Sequence, residues 1–259
     1  MHSQLSGTVD FHEPDDAACL TRLRTLLGLL PKRSQAMTGI APQRNSQDIY
    51  DIVPADGRGE YDARDLLNCI VDADSLQEFR TEYGKSIVTG YVRIDGMPAG
   101  ILANQRCRSK SAQGEVQIGG VLYGDASEKA ARFVADCNQT RLPLIFIQDV
   151  QGFMVGKQAE QSAIIRSGAQ LVHAMSVAPV PKFTVIVGSS HGAGNYAMCG
   201  RAYDPALMLA WPNARFAVMG GNQAAETMLS LRVRDAEKTG TKLSPEAIEE
   251  LRESLRDRY

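Results

Sequence analysis

No stretch of this sequence is apolar over the roughly 20 residues that a bilayer-spanning helix requires; segments such as Phe183–Val187 are strand-sized. Spanning helices are therefore excluded, and no membrane partner is expected. The start, Met1-His2-Ser3-Gln4, lacks a basic stretch followed by an apolar one, so no secretory signal is read there. An excess of positive charge is missing too. The 28 Lys and Arg are outnumbered by 30 Asp and Glu, which argues against a nucleic-acid partner, since such domains are usually strongly basic. Cysteines are few, odd in number and scattered: Cys19, Cys69, Cys107, Cys137 and Cys199. None forms a C-x-x-C pair, so neither a zinc knuckle nor a disulfide framework is expected, and no metal. Reduced thiols suit a cytoplasmic protein. Histidine is scarcer still, at positions 2, 12, 173 and 191, with none after 191.

What is present is ordinary globular material. The 259 residues are 44% hydrophobic and 22% charged, enough for one large core or a domain with an arm. Residues 1–60 read differently from the rest. Asp15 or Asp16 caps an expected helix through Leu30, with Leu20, Leu23, Leu26, Leu27 and Leu30 at helical spacing and Pro31-Lys32-Arg33 as its stop. A polar stretch with Pro42, Pro54, Gly57 and Gly59 then reads as a linker. The division expected is an arm and linker over 1–60 and a domain over 61–259.

From Tyr61 the pattern is regular. Runs at 87–94 and 97–103 flank Asp95-Gly96, a hairpin signal. Asp125 with Glu128 suggests a capping box for a helix to about Arg141. Leu144–Ile147 and Phe183–Val187 read as buried strands, with a helix at 160–177 between them. Short strands are expected at 206–211 and 215–219, then helices near 223–234 and 244–257, the last capped by Ser244-Pro245. Apolar strands alternating with helices imply an α/β fold with a parallel sheet and flanking helices.

Chemistry concentrates in turns after strands. At 187–201 a buried strand meets small residues, Gly188 to Gly194, and then a helix. Small side chains let a ligand approach the backbone, and a helix start offers unpaired N–H groups to a developing negative oxygen. Tight strand–helix packing with no ligand is the commoner explanation of such a turn taken alone. Gly188-Ser189-Ser190-His191-Gly192 also matches the G-x-S-x-G nucleophile elbow. That elbow needs a histidine later in the chain, and none follows His191, so the match reads as coincidence. A second turn, 148–156, follows the strand at 144–147 and would lie beside the first if those strands are neighbours. Asp149 there is a candidate general base or, more commonly, a turn residue. Met219-Gly220-Gly221 opens a later helix in the same manner.

Together, Gly152-Phe153-Met154-Val155-Gly156, Val180-Pro181-Lys182, Gly192-Ala193-Gly194-Asn195-Tyr196, Met198-Cys199-Gly200-Arg201, Trp211-Pro212-Asn213-Ala214 and Val218-Met219-Gly220-Gly221 resemble the carboxyltransferase (beta) subunits of biotin-dependent acyl-CoA carboxylases. The order and spacing are the family's, over nearly the whole chain, and Gly-Asn-Tyr is similar to the methylcrotonyl-CoA and geranyl-CoA branch. The resemblance implies a crotonase-like fold and transfer of a carboxyl group from carboxybiotin, borne on a separate carrier, to an acyl-CoA. It implies that backbone amides of Gly192, Ala193 and Gly194 form an oxyanion hole for the biotin ureido oxygen. Gly152, Phe153, His191, Asn195 and Tyr196 are the implied substrate-binding residues. Implied partners are a biotin carboxylase/carrier subunit, an N-terminal carboxyltransferase domain and further copies of the chain. Family chains carry two crotonase-like domains, and this one resembles the second. His2 to Asp10 resembles the end of the first, so the chain alone is expected to be incomplete. The family usually has tyrosine where His191 stands. Two alternatives stay open: a crotonase-fold acyl-CoA hydrolase or isomerase using Asp149 or His191, and an inactive, truncated oligomerisation module.

Overall fold

The computed structural model describes residues 1–29, 38–57, 59–238 and 243–258. It divides into two compact units, Met1–Phe216 and Ala217–Tyr259. In the first unit the order is α1 (Asp16–Leu29), α2 (Ile49–Ile52), α3 (Ala63–Leu67), β1 (Gln77–Glu78), β2 (Ile87–Ile94), β3 (Met97–Asn104), β4 (Ser109–Lys110), β5 (Val116–Gln117) and β6 (Val121–Leu122). Then come α4 (Gly124–Thr140), β7 (Leu144–Val150), β8 (Gly152–Phe153), α5 (Lys157–Gln161), α6 (Ile164–Ser176), β9 (Lys182–His191), α7 (Gly192–Ala197), β10 (Leu207–Ala210) and β11 (Arg215–Ala217).

The main sheet runs β1-β2-β3-β7-β9-β10, with β11 also on β9. Its β3-β7-β9-β10 portion is parallel, and β1-β2-β3 is antiparallel. The β2–β3 hairpin turns at Asp95 (φ 50°) and Gly96 (φ 76°), both left-handed as a two-residue hairpin demands. The Asp72 carboxylate accepts both turn amides at 2.8 Å. Both sheet faces are covered. Ile87, Leu102, Leu144 and Phe146 join Phe133 and Leu171 on one side. Val88, Ile101, Ile147 and Val187 join Tyr61, Leu66 and Leu67 on the other. Two-sided burial is why these strands read as continuous apolar runs.

Several local expectations need correction. The 125/128 capping box does not form. The N-cap is Tyr123 with no side-chain cap, because Glu128 accepts instead from Tyr83 Oη and Ser167 Oγ. The helix expected over 160–177 is two helices, broken where Ala163 is left-handed (φ 61°). β9 outruns its apolar core by four residues, to His191.

Asp15 does cap α1, accepting the Ala18 amide at 2.8 Å. Leu20, Leu23 and Leu27 are half exposed while Leu29 is buried; Leu30 and the 31–33 stop lie outside the described residues. Among the described residues, 1–60 add no strand to the main sheet, but Leu29 and Val53 enter its two cores. In the second unit α8 (Gly221–Lys238) packs on α9 (Pro245–Arg258) through Ala225, Leu229 and Leu255. The Ser244 hydroxyl accepts the Ala247 amide at 3.2 Å, capping α9.

One core residue is a lysine. Lys129 in α4 is fully buried. Its Nζ donates to the Ile87 carbonyl at 3.0 Å and lies 3.9 Å from the Glu78 carboxylate. Burial lowers its pKa from 10.5 to about 8, against the attraction of Glu78. The unfolded chain then keeps this proton up to a higher pH than the fold does. Folding releases a proton between those values, so native stability gains as pH rises through that window. Chemical denaturation of wild type and Lys129→Met should show the wild type gaining on the variant from about pH 8 to 10.5, by up to about 3 kcal/mol. A difference that stays flat across that range would mean that burial does not perturb the lysine.

Candidate active site

Two of the sequence turns singled out above, 148–156 and 187–194, meet at the C-terminal ends of β7 and β9, the end of a parallel sheet where ligands bind. β7 and β9 are hydrogen-bonded neighbours. The 148–156 and 187–194 segments therefore lie side by side, and a Cβ added at Gly194 would come within 2.6 Å of the Val150 side chain and 3.1 Å of Gly152 Cα. Gly192 (φ 52°) and Gly152 (φ 131°) hold backbone conformations that L side chains rarely adopt. Nothing lies within 4 Å of a Cβ built on Gly152 or Gly156, so the second turn borders open space.

α7 begins at Gly192, directly after the strand. First-turn amides of a helix have no partner within it, and here they belong to Gly192, Ala193 and Gly194. Ala193 is exposed and Gly194 buried. Phe153 is half-buried, with its ring 3.1 Å from where a Cβ on Gly168 would sit. Tyr196 is half exposed and stacks edge-on with Tyr203, centroids 6.2 Å apart. Asn195 is turned inward: its Nδ2 donates to Ser190 Oγ at 2.7 Å. Ser190 Oγ donates in turn to Gln148 Oε1 at 2.8 Å, and Gln148 Nε2 to the Met198 carbonyl at 2.5 Å. This buried chain ties β7, β9 and the end of α7 together.

Ser190 is therefore a buttress. It is 2% exposed, and its side-chain partners among the described residues are an amide oxygen and an amide nitrogen, not an imidazole. His191 is buried, with Nδ1 lacking a hydrogen-bond partner. Burial holds its pKa below 6.5; Asp149 opposes this, and Arg215 and Arg106 reinforce it. The ring is neutral at pH 7. Asp149 does not offer a free carboxylate for a general base. It accepts from the Ser189 amide (2.8 Å) and Tyr61 Oη (3.0 Å), and pairs with Arg106 Nε at 3.2 Å. The elbow lacks its imidazole and Asp149 lacks a free carboxylate, which leaves the buried His191 ring and the backbone donors.

Tyr61, Asn104 and Arg106 escaped the motif reading. Asn104 closes β3 and accepts the Asp149 amide at 3.1 Å. Its place at the end of a strand parallel to β7 was the available signal, but no local pattern marks Arg106 or Tyr61. The Met219–Gly221 turn belongs to the second unit, where it leads into α8.

The carboxyl transferase domain family matches residues 1–258. The biotin-dependent 3-methylcrotonyl-coenzyme A carboxylase beta1 subunit of Mycobacterium tuberculosis is 37% identical over 100% of this chain and 47% of its own length. The beta subunit of geranyl-CoA carboxylase from P. aeruginosa superposes with a TM-score of 0.72 at 34% identity, over 99% of this chain and 46% of that one. The transcarboxylase 12S structure, described as a hexamer assembly with methylmalonyl-coenzyme A bound, gives 0.78 at 33% identity, over 100% and 48%. The chain thus spans about half the length of the relatives it matches. Among the described residues, no helix is long and apolar enough to cross a membrane.

Removing the Ser190 hydroxyl strands the amide oxygen of buried Gln148 and the amide nitrogen of half-buried Asn195. Ser190→Ala should lower stability by about 1–3 kcal/mol, read from the denaturation midpoint. A loss near zero would mean that water or a shifted side chain replaces the buttress.

Proposed function

Since the chain belongs to the carboxyl transferase domain family, we propose that it supplies the biotin-facing part of a carboxyltransferase that moves a carboxyl group from carboxybiotin to an acyl-CoA. The observation that carries this reading is the pair of abutting glycine turns at the ends of β7 and β9, offering backbone amides beside open space while the Asp149 carboxylate and the Ser190 hydroxyl next to them are engaged. A carboxylated biotin on a carrier brings both the carboxyl group and, once that has left, the basic ureido group. What it asks of the protein is orientation and a donor for the ureido oxygen, not an acid–base side chain. Gly192, Ala193 and Gly194 are the amides we assign to that hole. Gly152 and Phe153 form the facing wall, with His191, Asn195 and Tyr196 setting its floor and rim. Asn195 acts from behind, through Ser190.

We assign residues 61–259 to the carboxyltransferase domain and 1–60 to an arm that continues a preceding domain. The acyl-CoA site then comes from an N-terminal carboxyltransferase domain in a second polypeptide segment or subunit. The names of the relatives favour an unsaturated or branched acyl group. A hydrolase or isomerase of the same fold would need Asp149 or His191 for proton transfer; Asp149 is held by Ser189, Tyr61 and Arg106, and the His191 ring is buried.

The test is carboxyl transfer to 3-methylcrotonyl-CoA with the N-terminal domain and a carboxylated carrier supplied. Ala193→Val, which fills the space against the amides, should cost about 10²–10³ in rate, the scale of one lost oxyanion donor. Ser190→Ala should keep most of its activity at a temperature where it is folded. If Ser190→Ala abolishes turnover and Ala193→Val spares it, the site is a nucleophile elbow after all. Sedimentation should show this chain associating with itself or with the N-terminal domain. A species that stays monomeric with that domain present would count against a shared site.

A further inference from the structure

β7 and β9 do not keep step. Gln148 faces Ile186, yet Val150 faces Ser190, so Asp149 alone stands opposite Val187, Gly188 and Ser189. The extra length on β9 breaks the backbone ladder and re-aims the strand just before the glycine turn, as bulges do. The orphaned Ser189 amide is buried, and a buried N–H needs an acceptor. It finds one in Asp149 Oδ1 at 2.8 Å.

The carboxylate that accepts it is immobilised on every side. Tyr61 Oη donates to Oδ2 at 3.0 Å, Arg106 Nε lies 3.2 Å from the same oxygen, and the Asp149 backbone amide is held by Asn104 Oδ1 at 3.1 Å. Asp149 and Arg106 are 3% and 5% exposed, so neither can swing out to water. Gly188 is what admits this carboxylate: an added Cβ would sit 2.5 Å from it. Gly188 is not among the positive-φ glycines, so space, not backbone conformation, excludes a side chain there.

We propose that Asp149 is the positioning residue of the glycine turn: its fixed carboxylate takes the place of the missing ladder acceptor for Ser189 and thereby sets where the Gly192–Gly194 amides point. It touches no ligand. The claim rests on the biotin-facing reading only for the ligand served, and not for the geometry.

The experiment follows the Ser189 amide by ¹⁵N-serine NMR and hydrogen exchange in the full chain, in wild type, Gly188→Ala and Asp149→Asn. Gly188→Ala keeps every charge but drives the carboxylate from its seat. Its Ser189 amide should exchange at least about tenfold faster, as expected for a lost hydrogen bond to a charged acceptor, and its resonance should move upfield. Asp149→Asn retains an oxygen that can accept, so its effect should be intermediate, a partial rescue. Exchange at Ile145–Ile147 should not change in either. Affinity for biotin methyl ester should fall in the same order. An unchanged Ser189 amide in both variants overturns the proposal, and so does equal acceleration across the sheet, which would mark Asp149 as a general core residue. If Gly188→Ala does not fold, an unmoved Ser189 amide in Asp149→Asn is sufficient to overturn it. If the wild type binds no biotin methyl ester, the functional reading falls while the amide measurement still decides the role of Asp149.

Discussion

The fit of one carboxylate between two parallel strands governs the site end of this fold. A parallel ladder supplies acceptors at a fixed interval, and β9 carries more residues past Asp149 than that interval allows. The surplus has to be absorbed somewhere without leaving buried polar groups unpaired. It is absorbed at Ser189, whose amide takes a side-chain acceptor in place of a backbone one. Beyond that point β9 regains its pairing at Ser190 and hands over to α7. Gly194 then settles against Val150 and Gly152 with no room for a Cβ. The two glycine turns abut because of this sequence of contacts, each of which presupposes the one before.

Much of the scaffold was readable along the chain because its causes are local. Asp95-Gly96 marks a hairpin by its tolerance of left-handed dihedrals, and the 144–147 and 183–187 runs mark strands covered on both faces. The adjacency of the two turns followed from adjacent strands. Failures arose where a distant partner took a side chain away from its local role. Glu128 had the spacing of a capping residue, but Tyr83 and Ser167 claim its carboxylate. His191 looked like turn material, yet the strand extends through it. Asp149 carried the mark of either a base or a turn residue; its actual partners come from residues 61, 106 and 189, two of them more than forty positions away. No periodicity reports a convergence of that kind.

The polar interior has a cost that the apolar core must offset. Arg106, Asp149 and Lys129 are ionisable groups removed from water, and removing one member of such a set leaves an uncompensated charge. At the site end the pairing is tight, with Arg106 and Asp149 in direct contact. At Lys129 it is loose, since Glu78 is 3.9 Å away and is held more closely by Arg64 at 2.8 Å. The two regions accordingly handle buried charge differently: close ionic contact at the strand ends, and a depressed pKa under the sheet.

A site built from main-chain amides has an unusual mutational profile. Every amino acid except proline brings the same N–H, so exchanging Ala193 for serine or His191 for another ring leaves the donors in place. If the Gly192–Gly194 amides are the donors, as proposed, an alanine scan of activity would pass over them and report instead on Asp149 and on the glycines that leave no space for a methyl group. Selection on such a surface acts through volume and backbone freedom rather than through functional groups.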